Sequence, residues 1–169
     1  LLYSSKKLRY YPFLLIACVL HGQIHYVDHS ATGLNDGSSW EHAYTTLQSA
    51  LSAAQYGDTL WVAAGEYLPT SGSNRLAAFG LVDGVKVFGG FAGGETELGQ
   101  RDWEANETLL SGDIGVKGDS TDNSYTVVFA VLADSTTLLD GFTIAWGNAD
   151  DDSSGQSISS PLKSGGGMY

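Results

Sequence analysis

Asp113 in "SGDIG" and Asp140 in "LLDGF" each sit beside glycine at a strand–turn junction, in a chain otherwise poor in reactive groups. Hydrolysis of a glycosidic bond needs two carboxyls about 5–10 Å apart across a sugar, and neighbouring strands can supply such a pair. Aspartate next to glycine at a strand–turn junction also caps backbone amides. That structural role is the reading the local sequence favours for both. A third set of carboxylates is the run Asp150, Asp151 and Asp152 in "ADDDSSG". Calcium takes oxygen ligands of this kind, so these three are the calcium candidates. Successive side chains on a strand point to opposite faces, so all three cannot reach one ion, and the run reads as a solvated loop.

Other reactive residues are scattered. A lyase acting on uronates would need a bound calcium and a Lys or Arg base. Lys86, in "VKVF", alternates outward between Val85 and Val87 and has no basic neighbours. His25 and His29 are four apart, but on a strand and a loop, and no third ligand is near; no metal site is expected there. "GGFAGGET" is glycine-rich yet lacks the lysine and the spacing of a phosphate-binding loop. Arg101, in "QRDW", has Asp102 and Glu104 close by and is expected to lock its own loop by an ion pair. No serine–histidine–acid set can be assembled, so neither a catalytic residue nor a cofactor is assigned. Tyr67, Trp103, Tyr125 and Trp146 fall at strand ends or in loops. There they would either stack on sugar rings or close the core at corners.

The elements that must position these residues follow from the hydrophobic pattern. "IHYVDHSA" reads as a first strand, followed by the turn-rich loop "TGLNDGSS". Trp40, Tyr44, Leu47, Leu51 and Ala54 then recur at helical spacing, with Thr45 or Thr46 as cap and Gly57 as stop. After Asp58 short apolar runs alternate with glycine and polar residues. Strand centres at Trp61, Val87 and Leu110 lie 26 and 23 residues apart, and further steps of 32 and 26 reach Phe142 and Met168. Repeats of this size suit stacked coils of a β-solenoid; an antiparallel sandwich would show strands every 8–12 residues or so. A solenoid exposes unpaired backbone and apolar core at its end. The lone helix is therefore expected to be a lid, with Trp40, Tyr44, Leu47 and Leu51 as the structural cap.

Charge and the front segment bear on location. The 169-residue chain carries 19 acidic and 8 basic residues, a net charge of -11. Such a surface repels phosphate backbones and anionic headgroups, so nucleic acid is not an expected partner. "KKLR" followed by the 11 apolar residues of Tyr10 to Leu20 reads as an export signal, with cleavage after Gly22. The run is too short to span a bilayer, and no transmembrane helix is expected in the mature segment. Cys18 is the sole cysteine, so no internal disulfide can form. "LIAC" around it also resembles a lipidation motif, so lipidation at Cys18 and other modes of anchoring stay open.

Longer stretches carry a resemblance. "YVDHSATGLNDGSSWEHAYTTLQSAL", "GDTLWVAAGEYLPT", "GVKVFGGFAGGETELGQRDWEANETLLSGDI" and "LLDGFTIAWGNA" with "GGGMY" are similar to the N-terminal portion of secreted bacterial right-handed parallel β-helix proteins. These have the pectin-lyase-like fold and are polymorphic outer membrane protein-like. The resemblance implies an all-β, right-handed parallel β-helix with one N-terminal amphipathic capping helix. It divides the chain into a signal peptide (1–22), a strand and capping helix (23–57) and the first coils of the helix (58–169), continued beyond the segment. It implies export to the cell surface, the outer membrane or the medium. The expected function is adhesin-like, contacting extracellular polysaccharide or cell-surface glycans, with no catalytic site in this segment. Alternatives are a polysaccharide lyase or glycoside hydrolase whose active groups lie in further coils, and a structural surface or stalk protein.

Overall fold

The computed structural model describes residues 22–150 together with 167 and 168. The expected signal peptide, Cys18, Asp151 and Asp152 lie outside the described residues, apart from Gly22. In chain order the elements are β1 (Ile24–Val27), α1 (Leu47–Ala53), β2 (Thr59–Ala63), β3 (Gly65–Tyr67), β4 (Phe79–Leu81) and β5 (Lys86–Phe91). A 3-10 turn (Leu98–Gln100) follows, then β6 (Thr108–Ser111), β7 (Val128–Ala130), β8 (Leu138–Asp140) and β9 (Thr143–Ala145). The fold is thus β-rich with a single α-helix among the described residues.

Every pairing between these strands is parallel. Three sheets result, in the orders β1-β2-β5-β8, β3-β6-β9 and β4-β7; Met168 adds a parallel bridge to Val128. Parallel neighbours need a long crossover, which is usually a helix. Here the chain instead passes through the other two sheets. It runs β2, β3, β4 and returns to the first sheet at β5, then runs β6, β7 and returns at β8. An antiparallel sandwich is therefore not what these residues build.

The regular step expected from strand centres is not kept. In the first sheet the register runs Ile24, Thr59, Lys86, Leu138, steps of 35, 27 and 52 residues. Leu110 belongs to the second sheet, Phe142 lies between β8 and β9, and Met168 pairs in the third. The apparent period mixed centres from different sheets. Loops of different length leave the sheets at their corners, where extra residues do not disturb the stacking.

Alternation along β2 divides its side chains between two apolar clusters. Leu60 and Val62 join Val27, Val87, Leu110, Phe79, Val127 and Val128 in the main core. Trp61 points the other way and stacks on Phe91, with centroids 4.8 Å apart, while Tyr26 meets Trp61 edge-on at 5.8 Å. Trp40 closes this second cluster and fixes its indole by donating from Nε1 to the Glu95 carbonyl at 2.9 Å. The central strands β2 and β5, buried on both faces, show the near-continuous apolar runs typical of parallel sheets.

The helix is shorter than its stripe predicts. It starts after Thr46, whose Oγ1 accepts from the Ser49 amide at 3.2 Å, and ends at Ala53, before Gly57. Trp40 and Tyr44 precede it. Local bonds hold residues 35–45 out of helical conformation: Asn35 Oδ1 accepts from the Thr45 amide at 2.8 Å, and the amides of Asp36 and Gly37 donate to the His42 carbonyl. Such short-range bonds compete with helix formation. Leu47 and Leu51 are 2% and 5% exposed and lie in the main core. The free edge of β1 is covered by the preceding loop rather than by the helix. Tyr26 N donates to Gly37 O, Tyr44 N to Tyr26 O, and Asp28 N to Tyr44 O, at 2.9–3.0 Å. Exposed strand edges need covering of this kind.

Asp58 ties these parts together. It is 7% exposed. Oδ1 accepts from the Gln23 amide at 2.8 Å, Oδ2 from the Gln55 amide at 2.8 Å, and His25 Nε2 lies 3.2 Å from Oδ2. Burial alone would raise its carboxyl, but the bonds from Gln23, Gln55 and His25 outweigh that and hold it below the usual range.

Candidate functional site

The end of β5 and the loop that follows it build a groove at which Trp103 and Asp140, two of the sequence candidates, meet. Gly90 has φ +91°, and a Cβ there would lie 2.8–2.9 Å from backbone and Cβ atoms of Trp103. The missing side chain lets the loop lie directly on the sheet, where Asp102 N donates to Gly90 O at 2.8 Å. Glu95 stiffens the loop from within: its carboxylate accepts from the amides of Ala92, Gly93 and Gly94 at 2.6–3.0 Å. Burial alone would raise this carboxyl; the amide donors hold it below the usual range. Gln100 Oε1 accepts from the amides of Thr96 and Glu97 at 2.8 and 2.9 Å. "GGFAGGET" is thus a set of tight turns that grips its own glutamate.

This rigid loop presents Arg101 and Trp103 side by side. The Arg101 guanidinium lies 4.9 Å from the Phe88 ring centroid and 5.1 Å from that of Trp103. Nη1 reaches the carbonyls of Gly89 and Asp140, both at 3.4 Å, and Nη2 forms an ion pair with Asp140 Oδ2. The partner is therefore not Asp102 or Glu104, as the local sequence suggested, but an aspartate 39 residues away. Asp102 caps the amides of Glu104 and Ala105 instead, and Asn106 N donates to its carbonyl. Asp140 in turn is an ion-pair partner rather than an amide cap.

Beside this clip lies a groove of about 280 Å³ lined by Trp103, Thr108, Asp140, Gly141, Phe142 and Thr143. Its volume is near the lower end for small-ligand sites. Trp103 is 56% exposed. Thr143 Oγ1 donates to Glu107 Oε1 at 2.9 Å, so a second carboxylate is bonded to a lining residue. Asp140 Oδ1 receives no hydrogen bond among the described residues. The site combines an open aromatic ring, hydroxyls and a fixed acceptor, which is equipment for holding a polyhydroxylated molecule.

The remaining candidates disperse. Asp113 caps an amide as expected, its two oxygens accepting from Gly118 N at 2.9 and 3.0 Å, and it does not line the groove with Asp140. Asp150 pairs with Arg75 and with Asn148 Nδ2. Among the described residues no three His, Cys, Asp or Glu side chains are grouped to hold a metal. His25 goes to Asp58, whereas His29 meets Tyr67 edge-on at 5.8 Å. Lys86 is exposed on β5, as alternation requires. Tyr67 is core: it is 3% exposed, its hydroxyl donates to Ala63 O at 3.0 Å, and burial pushes its phenol well up. Tyr125 lies beneath Arg75 at 4.0 Å, while Trp146 is exposed and has φ +60°.

Sequence reasoning missed Thr108 and Thr143 as groove residues, and Glu107 as the partner of Thr143. No local signal marks them, because they come together only when β6 and β9 pair. No helix among the described residues is long and apolar enough to cross a membrane. No family model matches the chain, and no curated protein or solved structure matches it.

Proposed function

We propose that this chain is part of a right-handed parallel β-helix, exported to the cell surface or beyond, that holds a glycan in the Trp103–Asp140 groove. Three parallel sheets visited in a fixed cyclic order support the architecture, and crossovers between parallel strands are right-handed in about 98% of cases. The stretches that resemble secreted β-helix proteins, "GGFAGGETELGQRDW" and "LLDGFTI", are those that build the Arg101–Asp140 clip. Segment 1–22 carries the export reading. The protein acts as an adhesin-like binder, and the groove's chemistry is recognition rather than bond cleavage.

One observation carries the glycan reading: an exposed tryptophan ring stands beside an immobilised carboxylate in a groove of sugar size. Aromatic faces supply apolar contact to sugar rings, while the acceptor fixes their hydroxyls. The test is a screen of the protein against soluble oligosaccharides, read by tryptophan fluorescence and calorimetry, with Trp103→Ala alongside. The variant should keep the wild-type circular dichroism and lose binding. Undiminished binding by folded Trp103→Ala would remove the groove from the proposal.

A further inference from the structure

We infer that the groove prefers a sugar bearing a free ammonium group, a hexosamine, over a uronic acid. This rests on the glycan reading above and goes further, to the charge of the ligand. Arginine is the usual partner of a carboxylate ligand, but Arg101 is fully committed. Its side chain is 12% exposed, lies against two rings, reaches two carbonyls and is paired with Asp140. Turning toward a uronate would break all of these contacts. Among the described residues no lysine or arginine lines the groove.

The groups that remain available are negative or electron-rich. The Asp140 side chain is about half exposed, and its Oδ1 accepts no bond among the described residues. Glu107 stands behind Thr143 and has only one oxygen engaged by it. Among the described residues, Asp140 and the Thr143-bonded Glu107 set two carboxylates against the one guanidinium of Arg101 near the groove. Trp103 already meets the Arg101 guanidinium in this way, and the exposed part of its ring attracts cations through its quadrupole as well as offering stacking area. The chain's net charge of -11 works in the same direction over longer range, concentrating cations and repelling polyanions.

The experiment titrates the full chain with three oligosaccharides: β-1,4-linked glucosamine, its N-acetylated counterpart and oligogalacturonate, at a pH where the free amine is protonated. The amine form should bind about tenfold tighter than the N-acetylated form. The gap should shrink as salt is raised, since screening weakens partly exposed charge pairs. Oligogalacturonate should not bind. Asp140→Asn should abolish the gap. Because that variant also weakens the Arg101 clip, Glu107→Gln serves as a second one and should narrow the gap without disturbing the fold. Equal affinity for the amine and N-acetyl forms, or binding of the uronate, overturns the charge preference while leaving a glycan groove in place. If none of the three oligomers binds, the glycan reading falls and this inference with it.

Discussion

Gly89 and Gly141 face one another across β5 and β8 so closely that neither could carry a side chain. A Cβ on Gly89 would stand 2.4 Å from the Gly141 carbonyl oxygen, and one on Gly141 would stand 2.8 Å from the Gly89 carbonyl oxygen. Gly141 also has φ +80°, a conformation that costs other residues about 1 kcal/mol or more. This contact sets the spacing that lets Arg101 reach the carbonyls of both Gly89 and Asp140. The groove exists because two bare backbones touch beneath it.

Gly89→Ala and Gly141→Ala should therefore each destabilise the protein by roughly 1–3 kcal/mol in urea titration, with Gly141→Ala the costlier because strain adds to the clash. Gly94→Ala is the internal control. Nothing lies within 4 Å of a Cβ at Gly94, so its midpoint should stay within about 0.5 kcal/mol of wild type. Equal effects at all three positions would contradict the close-approach account.

Arg101 should resist its nominally conservative replacement. A planar guanidinium reaches two carbonyls and a carboxylate while stacking between Phe88 and Trp103. Lysine is a point charge on a flexible stem and cannot do all of this. Arg101→Ala should cost about 2 kcal/mol, and Arg101→Lys should recover less than half of that. Full recovery by lysine, measured by thermal and urea melts, would show that charge alone holds the clip.

The parallel, strand-rich arrangement and the buried Leu47 and Leu51 were legible because short apolar runs and one helical stripe are local patterns. The extent of the helix was not. Trp40 and Tyr44 fit the helical spacing, yet Asn35, Asp36 and Gly37 offer side-chain and backbone bonds that the stripe does not register. The groove was half legible. Asp140, Arg101 and Trp103 were each singled out by type, but their meeting depends on the 39 residues between Arg101 and Asp140 folding back. Nearby Asp102 and Glu104 looked like better partners because sequence shows only neighbours along the chain. For Tyr67 core closure was the favoured reading and the buried ring agrees with it, although a strand-end position alone does not reveal whether a ring turns toward solvent or core.

Helix α1 should prove necessary to stability out of proportion to its length. Seven residues are too few to hold a helix by propensity alone, so packing of Leu47, Ala50 and Leu51 must sustain it. Leu51→Ala should cost about 2–4 kcal/mol. Thr46→Ala, which removes the bonds of the cap hydroxyl to Ser49 N and Ser49 Oγ, should cost about 1 kcal/mol. A Leu51→Ala effect no larger than that of Thr46→Ala would mean that the helix rests on the core without sealing it.

Asp58 should govern part of the acid limb of stability. Its carboxyl is held below its unfolded value because Gln23 N, Gln55 N and His25 outweigh the effect of burial. A group depressed in the folded state gives its full stabilisation above the unfolded pKa of about 3.9 and loses it as pH falls through the lower folded value. The Asp58 contribution is therefore intact at neutral pH and disappears below about pH 4. Asp58→Asn replaces one acceptor oxygen with an amide that would face a backbone donor or His25, and should cost roughly 2 kcal/mol at pH 7. Its stability should also fall less steeply than wild type below about pH 4. Asp119, whose exposed side chain bonds only Thr121 in its own turn and is held below its usual range by those bonds, is the surface comparison, and Asp119→Asn should flatten the acid limb less than Asp58→Asn does. Parallel acid limbs for wild type and Asp58→Asn, followed by urea titration at a series of pH values, would show that the buried carboxylate does not set the pH response. Matching limbs for the two variants would instead assign the response to ordinary surface carboxylates.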